Sequence, residues 1–213
     1  MSVLPASPPE SRRDWILHNL RERIASGDLA AGDRLVERDI SATYGISRGP
    51  VREAIMILEQ EGLVVSHAYR GAVVAEITQK EISDILVPIR LVIEKVAFRG
   101  AAETANDDLL SALEGIVQSM ESATQPLDAQ RLADFDVAFH ETVIAAAQHT
   151  QSLQIWRTIQ PRVRAYFLRD APHHDSPHAV VEQHRTLLNA LRSGDPQRAE
   201  AEITEHIGTY LDD

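Results

Sequence analysis

Seven of the nine histidines lie between His140 and His206, and the chain has no cysteine. Any metal must then be held by imidazole and carboxylate, and disulfides and a cysteine nucleophile are excluded with the thiolate sites. Asp136 and His140 stand four residues apart, one turn along a helix, so both leave the same face. They flank the apolar positions Leu132, Phe135, Phe139 and Val143, which turns them partly inward. A buried acid and a buried imidazole need partners. His184 lies about ten residues before the Gly194-Asp195 turn and His206 about eleven after it, so at roughly 1.5 Å per residue both climb to about the same height of a helical hairpin. Three imidazoles and one carboxylate can therefore converge. Such a donor set suits zinc, nickel, copper, iron or manganese and leaves positions for water or for a ligand's oxygens. Each histidine taken singly also reads as a hydrogen-bonded interior or surface residue. His173, His174 and His178 fall in a Pro-containing loop and read as solvated, and His149 sits in an interhelix corner without a role.

The elements that must position these groups are helices. From Thr78 onward apolar residues recur at intervals of three and four, which predicts six helices at about 78–104, 106–123, 128–147, 150–169, 177–192 and 196–211. Asn106 and Asp128 are candidate caps, and Ser193-Gly194-Asp195-Pro196 reads as a tight turn with Pro at the first helical position. Short connections between such helices favour an antiparallel bundle.

The preceding segment has another organisation. Residues 1–10 read as a flexible lead-in rich in Pro, Ser and Ala. Ser11 can cap a first helix carrying Trp15, Ile16, Leu20 and Ile24, which Gly27 ends. A short helix from about Glu37 to Tyr44, a turn at Gly45, an N-cap at Ser47 and a helix from about Arg48 to Glu61 make a helix-turn-helix, with Val51, Ile55 and Leu58 buried. Leu63-Val64-Val65 and Ala72-Val73-Val74 then read as a hairpin, and helix-turn-helix plus hairpin is a winged helix. In that arrangement the second helix enters the major groove with Arg48, Gly49 and Arg52. Arg70 at the hairpin tip reaches toward the adjacent minor groove, and Arg38 is placed to hold a phosphate. The fold class expected is mostly α, a winged helix-turn-helix over 11–77 followed by an all-α antiparallel bundle over 78–213.

Charge agrees with this division. The 213 residues carry a formal net charge of −11, which taken whole argues against a nucleic-acid partner. Residues 1–77 hold 9 Arg and 11 acids, a net of −2, while residues 78–213 hold 12 basic residues and 21 acids, a net of −9. The acid belongs mostly to the second part. No stretch approaches the roughly 18 apolar residues of a membrane span and the amino terminus has no signal-peptide pattern, so the chain is read as cytoplasmic.

The string GDLAAGDRLVERDISATYGISRGPVREAIMILEQEGLV at 27–64, with RGAVV at the end of the hairpin, resembles the DNA-binding domain of the GntR family of bacterial transcription regulators. The resemblance implies DNA contacts by Arg38, Ser47, Arg48, Gly49, Arg52, Arg70 and Gly71; Gly49 stands where the family more often has Thr. DFDVAFHETVIAAA (134–147), VEQHRTLLNALRSGDPQRA (181–199) and EHI (205–207) look like the FCD effector domain of the FadR subfamily, and six helices suit its VanR-like version. That resemblance implies Asp136, His140, His184 and His206 as ligands of a divalent metal, zinc foremost, with nickel, manganese or iron as alternatives. Arg90 matches an Arg that faces the effector cavity. His149-Thr150 departs from the Gly-Asn common before the fourth bundle helix.

The resulting expectation is a homodimeric repressor that binds double-stranded operator DNA and is released by a small carboxylate at the metal site. A metal-dependent enzyme is the rival from another class, although neither His-Glu-x-x-His nor a Glu-x-x-His pair is present. A regulator with a structural metal and an acyl-thioester effector is the third reading.

Overall fold

The structure, a computed structural model, describes residues 11–170 and 176–209; the lead-in, His173, His174 and Leu211 lie outside them. The chain divides into two compact units that part between Glu76 and Ile77.

In the first unit α1 (Arg12–Ala25) starts where the Ser11 side chain accepts from the Asp14 N–H, and it buries Ile16, Leu17 and Leu20. It packs on α3 (Arg48–Gln60), which buries Val51, Ala54, Ile55 and Leu58. Arg21 reaches across to clamp Glu61. Between them α2 (Glu37–Tyr44) ends at Gly45, whose φ of 64° gives the left-handed cap that turns the chain into α3. The hairpin comprises β2 (Val64–His67) and β3 (Gly71–Val74), with Val64 opposite Val74 and His67 opposite Gly71. A third strand, β1 (Arg34–Leu35), which the sequence did not predict, pairs antiparallel with the other edge of β3. Two residues show no alternation, so such a strand exists only through its partner.

The second unit is all helix among the described residues. A turn of helix α4 (Gln79–Glu81) runs through a π-helical turn, Ile82–Leu86, into α5 (Val87–Thr104). Then follow α6 (Asp107–Ser122), α7 (Ala129–Ala146), α8 (Thr150–Asp170), α9 (Pro177–Arg192) and α10 (Pro196–Gly208). The boundaries have the causes expected of them. Asn106, Asp128 and Asp195 each accept backbone N–H groups of the following first turn, at 2.9, 3.1 and 2.9 Å, satisfying donors that a helix leaves unpaired. Helix α5 is central and packs against α7, α8, α9 and α10. The core around it holds Phe98, Phe139, Ile144, Trp156 and Leu187, all fully buried. No described helix is long and apolar enough to cross a membrane.

Candidate functional site

Asp136, His140, His184 and His206 come together in the middle of the bundle, each offering a donor atom within 4.8 Å of the others. They are 1, 0, 0 and 4% exposed, more deeply enclosed than the partly inward placement expected from α7 alone. The matched heights of His184 on α9 and His206 on α10 follow from the short Gly194-Asp195 turn, and α7 brings its own pair alongside. His206 Nε2 lies 3.2 Å from His140 Nε2, His184 Nε2 lies 3.3 Å from Asp136 Oδ1, and His140 Nε2 lies 4.0 Å from the same oxygen.

The far side of each ring decides what the near side can do. His184 Nδ1 is 2.8 Å from the Val180 carbonyl, which can only accept, so the Nδ1 proton is spent there and a neutral ring turns a lone pair toward Asp136. His140 Nδ1 is 2.5 Å from Glu94 Oε2, so its proton too faces away from the cluster. Two lone-pair nitrogens and a carboxylate then converge with His206, and neither Asp136 oxygen accepts a hydrogen bond. Something positive, a proton or a metal ion, has to sit between them. Ligands about 2.1 Å from an ion stand about 3.0 Å apart as octahedral neighbours, about 3.4 Å apart in a tetrahedron and about 4.2 Å apart across an octahedron, so spacings of 3.2, 3.3 and 4.0 Å are of the size a divalent cation's ligands take. The chemistry of the donor set and its unsatisfied buried oxygens both suit such an ion.

Electrostatics point the same way. Burial opposes ionisation of Asp136, but positive charge on His184 or His140, together with Arg90, outweighs it and holds the carboxyl far below its usual range. Burial, reinforced by His184 and His140, pushes His206 well below the usual imidazole value, so it stays neutral and able to ligate. A cleft of about 150 Å3 between α9 and α10 reaches His206, and Glu202 and Glu205 stand on its walls. Acidic walls favour the approach of a cation.

Arg90 is 3% exposed, its Nε donating to Glu94 Oε1 at 2.7 Å and its guanidinium 5.8 Å from the centre of the Trp156 ring. Glu94 is the group that sequence reasoning missed. A signal existed: Val87, Arg90, Glu94, Ala97 and Ala101 form one buried stripe of α5, and an oppositely charged pair one turn apart inside such a stripe cannot be solvated. His178 is exposed, its Nε2 3.0 Å from Gln125 Nε2, and His149 is exposed on the α7–α8 corner.

On the first unit, Arg38, Ser47, Arg48, Gly49, Arg52, Arg70 and Gly71 are all exposed. Ser47, Arg48 and Gly49 lie at the amino end of α3, where backbone N–H groups attract anions. Ser47 occupies the cap position, but its hydroxyl makes no capping bond. Nothing lies within 4 Å of a Cβ built on Gly49, so the fold does not require glycine there. Arg52 is held bidentately by Glu37 at 2.9 and 3.0 Å, which fixes the guanidinium on the outer face of α3. Arg38 pairs with Asp39. Arg70 and Gly71 close the hairpin turn, whose tip carries Tyr69, fully exposed at a φ of 68°.

Comparison with known proteins assigns each of the two units to a family. Residues 13–74 match the model of bacterial regulatory proteins of the gntR family, and residues 85–209 match the FCD domain. The gluconate operon transcriptional repressor of Bacillus licheniformis is 31% identical over 83% of this chain and 74% of its own length. A protein of Paenarthrobacter nicotinovorans described as "Probable D-xylose utilization operon transcriptional repressor" is 32% identical over 93% of this chain and 85% of its own. Among solved structures, a GntR chain from Rhodococcus sp. RHA1 superposes with a TM-score of 0.77 at 25% identity, covering 93% of this chain and 95% of that one. E. coli McbR/YncC shares the fold at a TM-score of 0.76 and 18% identity, over 93% and 94% of the two chains. These relatives are transcriptional regulators rather than enzymes. The chain belongs to the GntR family of bacterial regulatory proteins, a DNA-binding transcription regulator with a gntR-type winged helix followed by an FCD domain.

Proposed function

We propose that this regulator is a homodimeric repressor whose hold on operator DNA is controlled by a small carboxylate bound at a divalent metal, zinc foremost, in the FCD bundle. The observation that carries the proposal is the convergence of Asp136, His140, His184 and His206 in a buried site with unsatisfied carboxylate oxygens. These four residues would hold the ion. When bound, it supplies a Lewis-acidic position to which ligand oxygens can attach.

Charge accounting supports the effector class. Asp136, Glu94 and Arg90 are all buried and their charges sum to one negative charge. A divalent ion turns that into one positive charge, and a buried positive charge is relieved by a monoanion such as a hydroxy or sugar acid. Arg90 adds to the attraction, since its field reaches both Asp136 and His206. The relatives named for gluconate and D-xylose operons support repression and a sugar-derived ligand. An ion taking five or six ligands on these four donors would have room for a ligand's oxygens, which favours this reading over a purely structural metal with an acyl-thioester effector.

DNA contact is assigned to Ser47, Arg48, Gly49 and Arg52 at the amino end of α3, to Arg38 on α2 and to Arg70 and Gly71 on the wing. A second copy is supported by the outer face of the π-helical turn and α5, where Ile85, Val92 and Val96 are 51, 71 and 49% exposed beside a groove lined by Lys95, Arg99 and Glu200. Two-fold operators and two-fold proteins go together. The test is operator binding by the zinc-loaded protein with and without gluconate and related acids. Loss of binding with an acid, and no loss in His184→Ala, is the expected result; acid-insensitive binding by metal-loaded wild type would overturn it.

A further inference from the structure

Resting on the metal-site reading, we infer that Glu94 is a positioning residue for the metal, fixing the tautomer and ring orientation of His140, with Arg90 as its anchor. The two oxygens of Glu94 divide the work. Oε1 accepts from Arg90 Nε at 2.7 Å, and Oε2 lies 2.5 Å from His140 Nδ1. A proton held on Nδ1 leaves the Nε2 lone pair aimed at the cluster, and the carboxylate makes that nitrogen a better donor.

An Arg–Glu pair that is 3 and 0% exposed is a poor device for stability alone. Removing both charges from water costs about as much as their attraction returns, and apolar replacements of similar size are often neutral or stabilising. Neither charge can be solvated by a change of rotamer at this depth in the bundle, and Trp156 covers the guanidinium. What the pair gives the site is a carboxylate of fixed position behind His140. His184 achieves the same tautomer with a backbone carbonyl one turn back, Val180 O at 2.8 Å. His140 instead turns its Nδ1 to the Glu94 carboxylate of a neighbouring helix.

The experiment is zinc competition against a chromophoric chelator on the full-length protein, in wild type, Glu94→Gln and the double variant R90M/E94M. Wild type binds zinc, Glu94→Gln binds about 10- to 100-fold more weakly, and R90M/E94M stays folded with a similar loss. In a His140→Gln background the further substitution Glu94→Gln changes zinc affinity less than twofold, because its route of action is gone. Affinity retained within twofold in R90M/E94M, or an undiminished Glu94→Gln effect without His140, overturns the inference. Absence of zinc binding by wild type overturns the metal-site reading instead. If Glu94→Gln does not fold, the double variant and the ring-nitrogen NMR of wild type decide: an Nδ1-protonated, Nε2-ligated His140 is required.

Discussion

Stripping the metal should lower the melting temperature of the FCD unit by an amount the structure allows to be worked out. A ligand that binds only the folded state stabilises it by about 2.7 kcal/mol at 100 times its dissociation constant. The unit Ile77–Asp213 has about 140 residues, and at about 2.1 cal/mol/K per residue its unfolding entropy is about 0.29 kcal/mol/K, so the expected rise is about 9 °C. The assay is calorimetry of chelator-treated protein with and without zinc. His184→Ala removes a fully buried donor and should abolish the zinc-dependent increment, whatever it does to the baseline. His149→Ala, an exposed imidazole outside the cluster, should keep the whole increment. No rise in wild type, or an undiminished rise in His184→Ala, would refute the reasoning, because a nonspecific effect of zinc on surface histidines would treat the two variants alike.

Acid should weaken the metal-free unit from about pH 6.5 downward. The unfolded chain accepts a proton on His206 there while the folded one refuses it, so stability is present above that pH and lost toward the depressed folded value. His206→Gln should flatten that part of the melting curve against pH. Arg48→Ala and Arg52→Ala should each lower operator affinity by about 1–3 kcal/mol if they read bases, or weaken all sequences alike and shrink the salt slope by about one if they hold phosphates; gel-shift titrations at several salt concentrations distinguish the cases. Gly49→Thr should leave the melting temperature within about 2 °C, since its Cβ enters open space, while changing operator affinity. Val92→Glu with Val96→Glu should convert the proposed dimer to monomer in sedimentation, and an unchanged dimeric mass would exclude the α5 face.

Much of this architecture was legible because its signals are local. The caps Asn106, Asp128 and Asp195 announce their helices within three residues, and the apolar periods of α3 and α9 need no knowledge of what they pack on. The convergence of four donors was legible for a related reason: one short turn ties α9 to α10, so equal arm lengths give equal heights. Strand β1 was not legible, since Arg34–Leu35 has no pattern apart from its pairing with β3. Glu94 was not found either, because its partner His140 lies on another helix and only the packing of α5 on α7 joins them.

That packing also changes what Arg90 can mean. By resemblance alone, Arg90 reads as a cation waiting in a cavity for an acid. In the bundle its Nε already serves Glu94, and Glu94 in turn serves His140, so the charge of Arg90 is largely balanced before any ligand arrives. On the proposed reading, a carboxylate entering the site would meet a bound metal as the uncompensated positive charge, with Arg90 contributing through its field rather than as a clamp of its own. It follows that ligand recognition should depend on the metal more steeply than on Arg90. Arg90→Met with Glu94→Met should weaken acid binding by no more than it weakens metal binding, whereas removing the metal should abolish both the acid's thermal shift and its effect on operator binding.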